Sequence, residues 1–164
     1  MALNAYLTLA GQKTGEIRGS VTQKGREGKI MVIAVDHELS SPRDPSSGLP
    51  TGKLRHKPIR ITKELDRSSP LLYQVLTMNE NLTKWELQFW APSLTTLGSE
   101  VQHYTMRLTN ANIIDIGFHM PNNKNPDLIK YAEFEEISFS YQRIDWTWTA
   151  GGITAYADWA AALA

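Results

Sequence analysis

The sequence predicts a mainly β fold, a closed β-barrel with one short flanking α-helix. Three observations lead there. About eight short stretches alternate apolar with polar residues between turn signals, a spacing that favours a closed barrel over an α/β sheet. A single stretch, opened by Ser69-Pro70, carries the apolar face of a helix. Finally, the side-chain phase slips by one residue near Gln142 to Ile144, as it does at a β-bulge that bends a sheet toward a barrel.

The first strand is Ala5 to Leu9, where Tyr6 and Thr8 alternate with Leu7 and Leu9. Gly11 to Gly15 is a turn. Glu16 to Gln23 alternates again, with Ile17, Gly19 and Val21 on one parity. Lys24 to Lys29 is a polar, glycine-punctuated connection. Its GREGK run lacks what a phosphate-cradling loop needs, a glycine at position 23 and Ser or Thr after the lysine; Gln23 and Ile30 stand there, so it is a turn. Ile30 to Val35 is a nearly continuous apolar run, rich in β-branched residues, which predicts a strand covered on both faces. Asp36-His37-Glu38 follows. A metal or acid-base cluster would need partners placed elsewhere, so these residues are read as a strand end reaching a polar rim.

Ser40 to Leu54 holds three prolines, two glycines and four serines, and is expected to be a long protruding loop, residues 40–54. Loops of that length serve as contact surfaces or stay disordered without a partner. His56 to Leu65 places Ile59, Ile61, Lys63 and Leu65 on one parity of a half-buried strand. Asp66-Arg67-Ser68 breaks it. The Ser69 hydroxyl is expected to cap a helix over about 70–80, in which Pro70 loses no needed donor at the first position. Leu71, Leu72, Val75 and Leu76 form its apolar face, and so short a helix must dock on a sheet.

Leu82 to Ala91 sets Trp85, Leu87 and Phe89 against Lys84, Glu86 and Gln88. After a turn over 92–99, Glu100 to Thr109 alternates Tyr104, Met106 and Leu108 with polar residues. Asn110 to Asn112 turns the chain into Ile113, Ile114, Ile116 and Phe118, and Pro121 to Pro126 is a polar loop. Ile137, Phe139 and Tyr141 are then apolar at odd positions with Glu136, Ser138, Ser140 and Gln142 between them, whereas Ile144, Trp146 and Trp148 are apolar at even ones. Gly151-Gly152 precedes a closing strand or tail over Ile153 to Trp159, and Ala160 to Ala164 is a small apolar terminus.

The 164 residues suit a single domain over 1–164, with a real core but no room for a second. Seventeen basic and seventeen acidic residues cancel, which argues against a nucleic-acid partner and favours self-association. There is no cysteine, so neither disulfides nor thiolate metal sites arise. Met1 to Asn4 lacks the basic start of a signal peptide, and no apolar run approaches the roughly eighteen residues of a membrane helix. The expectation is a protein made in the cytoplasm, with no cleaved signal and no membrane insertion.

Three stretches carry a family resemblance in order and spacing: GKLRHKP with ITKELD and SSPLL; HYTMRLTNANI with MPN; and EEISFSYQRIDWTWTAGGITAYADW. Together they resemble the Hcp (haemolysin co-regulated protein) family, whose members form the inner tube of bacterial type VI secretion systems. The likeness runs from Ala5 to Trp159. Its motif residues here are Gly52, His56, Pro58, Lys63, Asp66, Ser69 and Pro70. In one departure, the family's basic residue commonly stands two before the histidine, where this chain has Leu54, with Arg55 adjacent to His56.

The resemblance implies two antiparallel sheets closing into the barrel, and six copies in a ring. It implies rings stacked into a conduit that is ejected with effectors, some of them bound in the bore. The further partners it implies are the contractile sheath and spike proteins, and the route it implies is secretion from the bacterial cytoplasm through the type VI apparatus. Pro42, Arg43, Asp44, Pro45, Lys53 and Arg55 are then expected at the ring-to-ring contact. Lys84, Glu86, Gln88, Ser138, Ser140 and Gln142 are candidates for lining the bore. The resemblance also implies that fused variants carry enzymes as added domains, and a chain ending at Ala164 is expected to lack one.

No catalytic set is evident in the sequence. No G-x-S-x-G elbow occurs, Ser68 and Ser69 sit at a helix start, and His37, His56, His103 and His119 show no metal-pair spacing. No calcium-loop pattern is present and no cofactor is expected. Trp85, Trp146 and Trp148 could stack on single strands, but their apolar parity favours core or subunit packing. Two readings therefore remain: a non-enzymatic tube subunit, and a β-barrel ligand-binding module or enzyme without a recognisable catalytic set.

Overall fold

The structure is a computed structural model and describes residues 3–159. It is mainly β, with one α-helix among those residues. The larger sheet has seven strands. They are β1 (Ala5–Gly11), β2 (Gly15–Ile17), β3 (Ile30–Val32), β8 (Leu82–Pro92), β9 (Glu100–Thr109), β12 (Arg143–Trp148) and β13 (Ile153–Asp158), numbered in chain order. The order across it is β13-β12-β9-β8-β1-β2, and β3 shares the far edge of β1 with β2. The smaller sheet has four, β4 (Ala34–Asp36), β7 (Ile59–Glu64), β10 (Asn112–His119) and β11 (Phe134–Ser140), in the order β10-β11-β7-β4. Every pairing is antiparallel. A separate hairpin joins β5 (Leu39–Ser40) to β6 (Arg55–His56).

The sheets do not close into the expected barrel. Among the described residues they meet at corners, through a bridge between Leu82 and Ala111 and a bond from the Ile33 amide to the Thr62 carbonyl at 2.8 Å. The phase slip near Gln142 to Ile144 is correspondingly not a bulge. The chain leaves the smaller sheet after Ser140 and joins the larger one at Arg143, so Phe139 and Ile144 reach the same interior from opposite layers. A change of sheet reverses the inward side as a bulge does, which is why the two look alike in sequence. True register shifts lie at Ala10/Gly11, Phe89/Trp90 and Ile113/Asp115.

One core fills the space between the sheets. Leu7, Leu9, Trp85 and Leu87 descend from the larger sheet onto Ile59, Ile61, Ile137 and Phe139 of the smaller. Trp85 and Phe139 meet edge to face at 5.5 Å. Each such side chain, buried fully, contributes about 1.5–3 kcal/mol. Ile30 to Val35 is not covered on both faces: it breaks at Ile33, itself 48% exposed, into β3 and β4 of different sheets.

Helix α1 (Ser69–Thr77) closes one end of the sandwich, burying Leu72 and Val75. It stops short of 80 because Asn79 turns left-handed at φ 50°. The Ser69 hydroxyl does not cap it in the expected way. Ser69 is the first helical residue, Ser68 holds the cap position without a side-chain bond, and the Ser69 oxygen accepts the Asp66 amide at 3.1 Å. Residues 40–54, expected as a long protruding loop, connect β5 to β6, with Ser40 ending β5 and no strand over 41–54. A bridge pairs Arg43 with Pro50, Asp44 Oδ1 accepts the Ser46 amide and hydroxyl at 2.7 Å, and Gly48 supplies the positive φ of the tip. The stretch Ala160 to Ala164 lies outside the described residues.

Candidate functional site

The hairpin over residues 39–56 projects from the rim of the smaller sheet, and three side chains fasten its root. His37 follows β4, His56 ends β6, and Tyr141 stands where the chain crosses between sheets. The Tyr141 hydroxyl lies 2.8 Å from His37 Nε2 and 3.0 Å from His56 Nδ1. Both imidazoles meet the phenol edge-on, at 5.8 and 5.5 Å between ring centres. The Lys57 amide donates to the Glu38 carbonyl at 3.2 Å, and their side chains pair at 2.9 Å. His37 and Glu38 thus turn to different partners, and Asp36 ends β4 opposite Arg60 of β7.

Burial sets the acid-base character of this cluster. It holds His37 below the usual imidazole range, and the neighbouring His56 adds to that. Burial lowers His56 as well, against the opposing pull of Asp158, and pushes the Tyr141 phenol up to about 12. Trp159 closes the far side by donating its indole N–H to the Tyr141 carbonyl.

The motif residues divide into two groups. His56 belongs to the hairpin root, with Pro58 exposed beside it and Gly52 at an exposed bend where a Cβ would meet nothing. Lys63, Asp66 and Ser69 meet at the other end of β7, in a buried polar knot. Lys63 Nζ reaches Glu135 Oε2 at 2.8 Å, Ser69 Oγ at 3.0 Å, the Glu64 carbonyl at 3.0 Å and Asp66 Oδ1 at 3.1 Å. Ser69 in turn donates to Glu135 at 3.0 Å. Pro70 follows on the exposed side of α1. The knot fastens the helix to the sheet.

Pro42, Arg43, Asp44 and Pro45 occupy the outer half of the hairpin, and Lys53 and Arg55 its returning limb, all but Pro42 and Asp44 exposed. The expected bore residues fall on two different layers. Lys84, Glu86 and Gln88 lie on the outward face of the larger sheet, where Glu86 accepts from Arg107 at 3.1 Å and from Gln88 at 2.8 Å. Ser138 and Ser140 lie on the outward face of the smaller sheet, beside the hairpin root. Ser138 lines a cleft of about 330 Å³ with His37 and Lys57, and Ser140 one of about 220 Å³ with His56 and Trp159. Gln142 sits at the crossover and accepts from Asn110 at 2.6 Å.

Sequence reasoning passed over Glu135, Tyr141 and Arg26. Glu135 shares the parity of Ile137 and Phe139, as Lys63 shares that of Ile59 and Ile61, so two opposite charges on apolar parities were the available signal. Arg26 lies over the rings of Tyr6 and Trp90, at 4.9 and 4.5 Å, and pairs with Glu100. It thereby holds the connection between β2 and β3 against the larger sheet.

A family profile described as "Type VI secretion system effector, Hcp" matches residues 6–148. The chain belongs to the Hcp family. It is 38% identical to the "Major exported protein" of Pseudomonas aeruginosa, over all of this chain and 99% of that protein. The Hcp1 protein of E. coli EAEC 042, in a mutant form, has a similar structure: TM-score 0.83, 32% identity, 96% of this chain and 99% of that one. Hcp3 of Pseudomonas aeruginosa, a secreted protein, gives 0.78 and 32%, covering 98% and 100%. A further Hcp crystal structure gives 0.88 and 30%, covering 97% and 99%. Membership associates this Hcp chain with type VI secretion. Among its described residues no helix is long and apolar enough to cross a membrane.

Proposed function

We propose that this Hcp protein is a structural subunit of the type VI secretion tube. Six copies form a closed ring, rings stack into a conduit, and the conduit is ejected from the cytoplasm with its effectors. The observation that carries this reading is the match to Hcp structures along nearly the whole of both chains, at a TM-score up to 0.88. The neutral charge balance also favours association over repulsion.

In this reading the hairpin over residues 39–56 makes the ring-to-ring contact. Its prolines limit the freedom lost on docking, and Arg43, Asp44, Lys53 and Arg55 offer charge to the neighbouring ring. One outward sheet face, that of Lys84, Glu86 and Gln88 or that of Ser138 and Ser140, lines the bore and receives cargo. Sheath and spike proteins complete the assembly, and the protein acts by assembly rather than catalysis. Negative-stain images of the purified protein test this: six-fold rings and stacked tubes support it, and isolated monomers at micromolar concentration overturn it.

A further inference from the structure

The hairpin root contains a hydrogen-bond arrangement that tolerates only certain proton counts. A phenol has one proton to donate and lone pairs to accept with. At Tyr141 it lies within bonding distance of two imidazole nitrogens. The cluster is satisfied when one imidazole presents a bare nitrogen to the phenol and the other an N–H. If both histidines are protonated, two N–H groups point at one oxygen, the phenol proton loses its acceptor, and two cations share a half-buried site.

We propose that His37, Tyr141 and His56 form a proton-operated latch that fastens the hairpin root to the body of the sandwich, and that acidification releases it. The consequence for assembly rests on the tube reading above: rings whose hairpins are unlatched stack less well. The latch itself does not depend on that reading.

Other charged groups face the cluster. Asp36, Glu38, Lys57 and Arg60 line the cleft on the His37 side, with Glu38 held by Lys57 and Arg60 bonded to Glu136 at 3.2 Å. Lys57 and Asp158 approach His56, and only Asp158 favours its protonation. Burial dominates for both histidines, so each binds a proton less readily latched than free. The unlatched state therefore takes up more protons as pH falls below the ordinary imidazole value of about 6.5. The latch is held above that value and is lost as pH falls through and below it.

Hydrogen exchange of assembled protein, followed by mass spectrometry from about pH 8 to about pH 5 with the intrinsic rates corrected, tests the latch. Exchange at the amides of Asp44, Thr51 and Lys57 should rise about tenfold or more across that range, while β7 stays protected and reports an intact fold. In Tyr141→Phe the hairpin should exchange fast at every pH. In the double variant His37→Gln, His56→Gln the pH step should vanish. A wild-type hairpin equally protected throughout overturns the latch, as does a step that survives in the double variant, since carboxylates would then be responsible. Electron microscopy of the same samples separates the two claims. A hairpin that opens while rings still stack leaves the latch standing and removes the hairpin from the stacking contact.

Discussion

Lys63 and Glu135 are directly opposed on β7 and β11, with Nζ 2.8 Å from Oε2, and neither side chain reaches solvent. Such a pair specifies more than it stabilises, because desolvation consumes much of the attraction, yet removing one partner strands the other. Lys63→Met should therefore destabilise the fold by about 3–5 kcal/mol. The double variant Lys63→Met, Glu135→Leu should recover most of that loss. Denaturant unfolding of the three proteins gives the comparison, and a double variant no more stable than the single one would contradict it.

This pair also shows where sequence reading succeeds and where it stops. Alternation found most of the strands, because one face of each is buried and its apolar residues recur at every second position. Lys63 and Glu135 sat on that same alternation, but their pairing lies 72 residues apart in the chain and depends on β7 and β11 being neighbours. Closure is not legible at Gln142 to Ile144, because a side reversal has one signature whether a strand bulges or changes sheets. The long loop over 40–54 is legible from its prolines, glycines and serines, whereas β5 and β6 at its root have two residues each, too few for a period to show. The His37, Tyr141 and His56 cluster joins three separate segments, and nothing local to any of them announces it.

Arg26 holds the β2–β3 connection through two ring faces and an ion pair with Glu100, while only 9% exposed. Arg26→Ala should cost about 1–2 kcal/mol through the cation–π contacts alone. Exchange at the amides of Gly28 and Lys29 should increase selectively. Arg26→Lys should recover only part, since a compact ammonium cannot lie flat between both rings. Unchanged exchange in Arg26→Ala would show that the connection is held by its backbone bonds.

The two outward faces cannot both form one bore wall if they remain on opposite layers of the sandwich. Single cysteines at Lys84 and at Ser138, in a chain that otherwise has none, give clean labels. Bound effector should shield one position from a thiol reagent and leave the other reactive. Shielding of neither would contradict cargo binding in the bore.

Replacing Pro42 to Leu49 with a short Gly-Ser linker leaves β7, α1 and the Tyr141 cluster untouched. Rings should form at normal yield, whereas tubes and secretion should be lost. Stacking and secretion that persist in this variant would show that the outer hairpin has no part in either.

The central claim, that the chain assembles as a ring of six, is tested most directly by the mass of the purified protein in solution. Each chain weighs 18.5 kDa. Light scattering coupled to size exclusion should return about 111 kDa, six times that mass, or multiples of it where rings stack. A single species near one chain's mass at micromolar concentration would contradict the account.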